Sequence, residues 1–239
     1  MTSLALAALV AVAVAPRVAV MPVRGDDDGA AQRILRAALA DANVKLIDVD
    51  AVDRLIASAA KSGIACDAHD GECAARICAF GGLDFALVAD VSEHARAAVV
   101  LHDCSDGREV RHIVSRLDDA ARADGLAMLA RAAVGEGEAR GRIEVAAPAG
   151  GVVVIDGVER GPSPPPVDVV VGMHDVAWRA ADGTQHTQNV DVAAAARARV
   201  SFEDAGATST PAATTTAAPA GTRATGTATI AGPSPRRKG

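Results

Sequence analysis

The feature that most constrains this sequence is a series of closely spaced turn signals between residues 152 and 183. Asp156-Gly157 follows the β-branched run Val152–Ile155, and an Asp-Gly pair between apolar runs predicts a tight β-hairpin, because the turn needs positive φ angles. The proline-rich residues 162–166 then exclude a helix, since proline lacks an N–H group and favours extended backbone before it. The stretch therefore predicts short strands separated by turns, with structural glycines at Gly157, Gly161, Gly172 and Gly183.

Trp178 allows one strand register to be predicted. After the next turn, Val190 and Val192 are the apolar pair, and a two-residue loop would put them opposite the Trp178 face. A three-residue loop, with Gly183 in the left-handed region, puts them on the same face. We therefore expect the three-residue loop, with Trp178 as the core anchor of a small sandwich. A Trp178 that stacks on a ligand is the alternative.

Four segments of the C-terminal half carry a family resemblance: Gly141–Val145 (GRIEV), Val152–Pro164 (VVVIDGVERGPSP), Val167–Trp178 (VDVVVGMHDVAW) and Arg199–Phe202 (RVSF). In this order they resemble the PEGA domain, a small β-sandwich module of bacterial envelope and surface proteins. The turn pattern is kept, but Val171–His174 (VGMH) stands at the position of the literal Pro-Glu-Gly-Ala sequence. The resemblance implies a non-catalytic β-sandwich over residues 141–203, of a kind often found in exported proteins.

Residues 16–134 predict a mixed α/β domain with elements in the order β-α-β-α-α-β-β-β-α. The Gly25–Gly29 loop (GDDDG) is expected to cap the first helix, and a hard cation on its aspartates is the alternative. Val44–Val49 and Leu83–Val91 are predicted strands, and Asp50 is predicted to cap the second helix. A meander of two strands, Arg96–Cys104 and Glu109–Leu117, and a last helix over Asp118–Val134 complete the domain.

Four segments carry a second resemblance: Arg17–Val23 (RVAVMPV), Val44–Asp50 (VKLIDVD), Cys73–Val91 (CAARICAFGGLDFALVADV) and Ala98–Val110 (AVVLHDCSDGREV). They resemble the N-terminal α/β domain shared by TolB-like and CsgG-like envelope proteins. Asp90 is a departure, because relatives usually carry Gly at that position. The resemblance implies a domain that binds partners rather than one that catalyses a reaction.

The two ends of the chain differ in composition from the rest. The apolar run within Met1–Ala15 is too short to span a bilayer and fits a signal peptide cleaved after Ala13 or Ala15. A buried first strand or an apolar helix is the alternative. Residues 204–239 are rich in Ala, Thr and Pro, and we expect them to be disordered, because they cannot bury enough apolar surface. Residues 135–140 are the predicted linker between the two domains.

Composition and motifs exclude several function classes. Aromatic residues make up 2% of the chain and the net charge is −6, which argues against a nucleic-acid surface built on stacking and basic charge. The sequence has no G-x-G-x-x-G, P-loop or G-x-S-x-G motif, and we expect no catalytic residue, cofactor or bound metal. His102 and His112 could face each other across the meander. One set matches no common zinc spacing but is the metal alternative: Cys66, His69, Cys73 and Cys78.

The four cysteines are predicted to form two disulfides, Cys66–Cys73 and Cys78–Cys104. Their count is even, and the predicted export places them in an oxidising compartment. Cys73 and Cys78 lie on one helix about 140° apart around its axis, so they point to different sides. Cys66 precedes a short loop that can fold back to Cys73, whereas Cys78 faces the sheet, where Cys104 ends a strand. Four reduced thiols are the alternative if the chain is not exported.

These patterns together predict an α+β fold, with an N-terminal mixed α/β domain, a small all-β sandwich and a disordered tail. The predicted function is that of an exported, non-enzymatic protein of the periplasm or cell envelope. It would bind an envelope protein or a cell-wall polymer as a scaffold component, with no transmembrane span in the mature chain. The alternatives are an enzyme with its active site in the α/β domain, and a cytosolic regulatory protein with an uncleaved apolar N-terminus.

Overall fold

The computed structural model describes residues 14–92 and 95–202, and it has the predicted α+β fold. The first 13 residues of the predicted signal peptide and the predicted tail 204–239 lie outside the described residues. None of the helices that the structure describes has the length and apolar character needed to cross a membrane.

A five-stranded sheet forms the centre of the N-terminal half, in the order β2-β1-β3-β4-β5. Its strands are β1 (Arg17–Val20), β2 (Lys45–Leu46), β3 (Phe85–Asp90), β4 (Arg96–Asp103) and β5 (Glu109–Arg116). The first three run parallel, and β4 and β5 continue the sheet antiparallel. The element order is the predicted one, but the predicted strand Val44–Val49 shrinks to two residues. The next helix already begins at Val49, with Asp48 rather than Asp50 at its N-cap.

Helices cover both faces of this sheet. The four helices are α1 (Ala30–Leu39), α2 (Val49–Lys61), α3 (Gly71–Phe80) and α4 (Arg122–Ala133). Because side chains alternate along a strand, Val18 and Val20 pack with α1 and α4, whereas Ala19 and Met21 pack with α2 and α3. The predicted last helix starts with a 3-10 turn over Asp119–Ala121, and the Asp118 carboxylate caps this turn by accepting a hydrogen bond from the Ala120 backbone N–H at 2.9 Å.

The C-terminal half is a sandwich of two small sheets. The four-stranded sheet has the order β11-β10-β7-β8 and the three-stranded sheet the order β12-β6-β9. Their strands are β6 (Arg140–Ala146), β7 (Gly151–Ile155), β8 (Val158–Gly161), β9 (Val167–Val170), β10 (Gly172–Ala180), β11 (Gln185–Val192) and β12 (Arg197–Ser201). Inward-facing side chains of both sheets form one apolar core around Trp178, which is 5% exposed.

The hairpin after Trp178 has the predicted register. The Gly183 N–H donates to the Ala180 carbonyl at 3.0 Å, and the Ala180 N–H donates to the Thr184 carbonyl at 2.8 Å. Three residues therefore form the loop, and Gly183 has a φ of 88°. Val190 and Val192 consequently join the core on the Trp178 side.

The two halves pack against each other within one compact unit. The backbone N–H of Ala194 donates to the buried Ser115 hydroxyl at 3.0 Å, and Ala194 itself belongs to the core of the α/β half. A Cβ atom at Gly125 of α4 would lie 3.0 Å from the Ala194 carbonyl oxygen, so this helix approaches closely. The boundaries predicted at residues 134 and 141 stay predictions, and β6 already begins at Arg140.

Candidate functional site

All four cysteines are paired in the predicted way. Cys66 bonds to Cys73 with a Cα–Cα distance of 5.9 Å, and Cys78 bonds to Cys104 with a Cα–Cα distance of 5.5 Å. The first bridge closes the loop before α3, and the second ties α3 to the end of β4. Their sulfurs are therefore not available as thiolate ligands for zinc. Within residues 14–92 and 95–202, no three Cys, His, Asp or Glu side chains are grouped to hold a metal ion.

A charged cluster lies where β1 and β3 end, and we call it the sheet-edge cluster: Arg24, Asp67, His69, Asp90 and Ser92. Arg24 Nη2 lies 3.2 Å from Asp67 Oδ2, and its Nη1 lies 3.9 Å from Asp90 Oδ2. The His69 Nδ1 contacts Asp67 Oδ1 at 2.7 Å, and the Ser92 hydroxyl donates to Asp90 Oδ1 at 2.6 Å. The carboxyl ends of parallel strands are where open α/β sheets commonly bind ligands.

The carboxylates of this cluster are held ionised. Hydrogen bonds from the backbone N–H and the ring of His69 lower the pKa of Asp67. Burial opposes ionisation of Asp90, but hydrogen bonds from Ser92 and the charge of Arg24 outweigh it, so the pKa of Asp90 is also lowered. A general acid or base works best with a pKa near the operating pH. These two carboxylates are shifted away from that range, and each is already paired inside the cluster.

The aspartate loop before α1 acts as the predicted helix cap. Asp26 accepts hydrogen bonds from the backbone N–H groups of Ala31 and Gln32 at 2.9 and 2.8 Å, and Asp28 accepts one from Ala30 at 2.9 Å. These N–H groups have no partner within the helix. The carboxylates are thus occupied by the first turn of α1, where negative charge also favours the helix dipole.

A groove of about 400 Å³ lies between α4 and the three-stranded sheet, and we call it the arginine groove. It is lined by Met128 of α4, by sheet residues, and by the connection before β12. The lining residues from the sheet and connection are Arg140, Gly141, Arg142, Asp168, Ala195, Ala196 and Arg197. Arg140, Arg142 and Arg197 share the outer face because strand side chains alternate, and Arg142 and Arg197 are register partners across β6 and β12.

Carboxylates position these guanidinium groups. Arg142 Nε donates to Asp168 Oδ1 at 2.6 Å, and this hydrogen bond and charge lower the pKa of Asp168. Arg140 pairs with Glu138 at 2.6 Å, and Arg197 pairs with Glu144 at 3.3 Å. Arginine offers five N–H donors in a planar fork, so one carboxylate contact leaves most donors of each side chain for an oxyanion.

His174 joins two turns of the sandwich. Its Nδ1 lies 2.7 Å from Asp156 Oδ2, and its Nε2 lies 2.6 Å from the Val170 carbonyl oxygen. Both partners are hydrogen-bond acceptors, so this geometry favours the cationic ring, in which both nitrogens carry protons. Burial opposes this charge, but the hydrogen bonds to Asp156 and Val170 outweigh it and raise the pKa of His174. The His174 side chain therefore connects the turn at Asp156 to the end of β9 at Val170.

The expectation that His102 and His112 face each other is wrong. His112 pairs with Val100, and a register irregularity in β5 places His102 opposite Glu109. His102 is 9% exposed, and its buried Nδ1 has no hydrogen-bond partner among the described residues. A Cβ atom at Gly71 would lie 2.2 Å from His102 Nε2, so the ring fills the space beside the first residue of α3.

The predicted structural residues of the sandwich lie at its turns and in its core. Trp178 is in the core and stacks with His186 at a centroid distance of 5.9 Å. The predicted turn glycines all have positive φ: 78° at Gly157, 94° at Gly161, 126° at Gly172 and 88° at Gly183. Asp156 also has a positive φ of 49°, as a tight Asp-Gly hairpin requires.

Sequence reasoning missed the arginine groove. The signal was present as two alternating patterns, Arg140-Gly141-Arg142 and Arg197-Ala198-Arg199. Each pattern places two arginines on one face of a strand. The sequence does not show that β6 and β12 are neighbours, because their first residues, Arg140 and Arg197, are far apart in the chain and only the parallel pairing brings the two strands together.

No family model and no curated protein matches the chain. Among solved structures, the lipoprotein GNA1162 from Neisseria meningitidis is similar over 44% of this chain and 81% of that chain, with 18% sequence identity and a TM-score of 0.35. A likeness at this level shows no family. The resemblances to PEGA, TolB-like and CsgG-like domains therefore stay predictions.

Proposed function

We propose that this chain is an exported, non-catalytic protein of the cell envelope that acts by binding a partner. The observation that carries the proposal is the pairing of all four cysteines in two disulfides. Structural disulfides form and persist in oxidising compartments and are rare in the cytosol. The apolar start within Met1–Ala15, with its small residues at Ala13 and Ala15, agrees with a cleaved signal peptide.

The surface chemistry of the described residues supports binding rather than acid–base catalysis. The sheet-edge cluster holds its carboxylates in ion pairs with lowered pKa values, which is unsuited to proton transfer near neutral pH. The arginine groove, by contrast, presents charged donors at an open surface. The binding partner in this proposal is an envelope protein or a cell-wall polymer, in the periplasm or at the envelope surface.

Thiol state and cleavage together test this proposal. The full chain is expressed with its own N-terminus in a bacterial host, the cells are fractionated, and the denatured protein is alkylated without reduction. We expect periplasmic protein that begins at Val14 or Pro16 and resists labelling at all four positions: Cys66, Cys73, Cys78 and Cys104. A sample reduced before alkylation is the control for accessibility. Uncleaved protein in the cytosol with four labelled cysteines would overturn the proposal and favour the cytosolic alternative.

A further inference from the structure

The arginine groove gathers three guanidinium groups, although the whole chain has a net charge of −6. Arg140, Arg142 and Arg197 line it together with Asp168, and Glu138 and Glu144 pair with Arg140 and Arg197 beside it, so three carboxylates offset the three charges. The cavity of about 400 Å³ falls within the usual range for pockets that bind small molecules. The clustered N–H donors and the size of the cavity together favour an anionic ligand larger than a single inorganic ion.

Two of these arginines stand directly opposite each other. Arg142 of β6 and Arg197 of β12 are register partners in a parallel pair, so they start from neighbouring strands about 4.8 Å apart. Arg142 pairs with Asp168, and Arg197 pairs with Glu144. A bound oxyanion between the two side chains would accept hydrogen bonds from both guanidinium groups.

The guanidinium groups keep donors for such a ligand. Among the described residues, the hydrogen bonds of Arg140, Arg142 and Arg197 each engage a single guanidinium nitrogen. Their side chains are 50%, 49% and 63% exposed, so the remaining N–H groups reach solvent. Phosphate offers three acceptor oxygens, whereas a carboxylate offers two. Three arginines around one groove therefore match a phosphate group better than a carboxylate.

The lining of the groove includes a strained residue. Ala195 has a φ of 58°, which is unfavourable for an alanine, and its N–H donates to the Arg140 carbonyl oxygen at 2.8 Å. This bond and the one from the Arg142 N–H to the Ala196 carbonyl oxygen at 2.9 Å hold the connection close to β6. Both positions carry small side chains, and Met128 lines the groove from α4, where its sulfur accepts a hydrogen bond from the Arg140 N–H at 3.0 Å.

We propose that the arginine groove binds a phosphomonoester carried on a sugar or polyol unit of an envelope glycan. A phosphomonoester carries a charge of about −1.5 to −2 near neutral pH, and its oxygens would accept charge-assisted hydrogen bonds from the guanidinium N–H groups that Glu138, Asp168 and Glu144 do not engage. The sugar or polyol would fill the rest of the cavity beside Met128, Ala195 and Ala196. The glycan as the source rests on the proposed function in the envelope, whereas the phosphate chemistry rests on the groove alone.

Calorimetry with purified, disulfide-bonded protein tests the phosphate chemistry. The probes are glucose 6-phosphate, glucose 6-sulfate and glucuronate at matched ionic strength. We expect glucose 6-phosphate to bind at least about tenfold more tightly than the other two, because only it carries close to two charges on three oxygens. Its affinity should rise between about pH 5 and pH 7.5, as the phosphate loses its second proton near pH 6. Equal affinities, or a Kd above about 10 mM for all three probes, would overturn the proposal.

A pair of double variants distinguishes binding in the arginine groove from a general effect of lost positive charge. Arg142→Gln with Arg197→Gln should weaken glucose 6-phosphate binding at least about tenfold, because two charge-assisted contacts are lost. Arg160→Gln with Arg179→Gln removes the same charge from the four-stranded sheet and should leave binding unchanged. Circular dichroism confirms that both variants are folded. An equal loss of binding in the two variants would overturn the site.

The source of the phosphate is tested with a phosphomonoester-bearing mannan and the same mannan after phosphatase treatment. Tighter binding per phosphate to the mannan than to glucose 6-phosphate, lost after treatment, supports the glycan. Equal affinity per phosphate for the mannan and for glucose 6-phosphate would overturn the assignment of the ligand to a glycan and would favour a free sugar phosphate. These measurements use purified protein, so they are independent of the fractionation result. Exported protein that binds none of the probes would overturn this inference and leave the proposed function standing.

Discussion

The two disulfides are expected to stabilise the fold unequally, because they close loops of different length. Cys66 and Cys73 are separated by 7 positions, and Cys78 and Cys104 by 26. In the chain-entropy model, these loops correspond to about 2.5 and about 3.5 kcal/mol of stabilisation near 25 °C. Packing widens this difference, since Cys78 and Cys104 are both buried, whereas Cys66 is exposed. We expect the long-loop variant, with both cysteines replaced by alanine, to lose at least about 1 kcal/mol more than the short-loop variant.

Urea denaturation followed by far-UV circular dichroism measures both losses. The two double variants are compared with the oxidised wild type, and their m-values are fitted separately, because a missing cross-link expands the unfolded chain. Wild-type protein measured in reductant is the control, and it should show about the sum of the two losses if the bridges act independently. Equal losses, or a larger loss from the short loop, would refute the argument from loop length.

Three further predictions concern single side chains. Trp178→Ala should lower the free energy of unfolding by about 3–5 kcal/mol, because the ring is the centre of the sandwich core, and an unchanged urea midpoint would favour the ligand-stacking alternative. Gly71→Ala should cost about 1–3 kcal/mol, since its Cβ would meet the buried His102 ring, and adding His102→Ala should recover part of that loss. His174→Gln should destabilise the protein more at about pH 6 than at about pH 9. The pKa of His174 is raised in the folded protein, so its charged form stabilises the fold at pH values below the pKa of the unfolded chain. This contribution is lost as the pH rises through the pKa of the folded protein. Equal destabilisation at both pH values would show that the charge of His174 does not contribute.

The parts of the fold that were predictable depend on local chemistry. Asp156-Gly157 and Gly183 determine their turns through backbone geometry alone. Because side chains alternate along a strand, the three-residue loop then decides which β11 residues share the face of Trp178. The disulfide pairing was predictable because helix geometry excludes Cys73–Cys78 and leaves few partners. The strand β2 was overpredicted, since an apolar run of suitable composition does not show where a neighbouring helix will begin.

The candidate site was less predictable, because it depends on contacts between distant residues. The register irregularity beside Val110 changes which β5 residue lies opposite His102, and nothing in the meander sequence marks it. Similarly, Arg142 and Arg197 are opposite each other only because β12 returns to pair parallel with β6. Their alternating patterns predict an exposed face on each strand, but the convergence of those faces is a property of the tertiary structure.

The position of the arginine groove also bears on the predicted domain boundary. Met128 comes from α4 of the α/β half, whereas the arginines and Asp168 come from the sandwich. The boundary predicted near residues 134–141 therefore passes along the groove, and a sandwich expressed alone would lack the wall that Met128 supplies. The close contact of Gly125 with Ala194 and the Ser115 hydrogen bond hold that wall in place. A ligand in the groove would contact both halves, and its binding free energy would add to the stability of the packed unit as a whole.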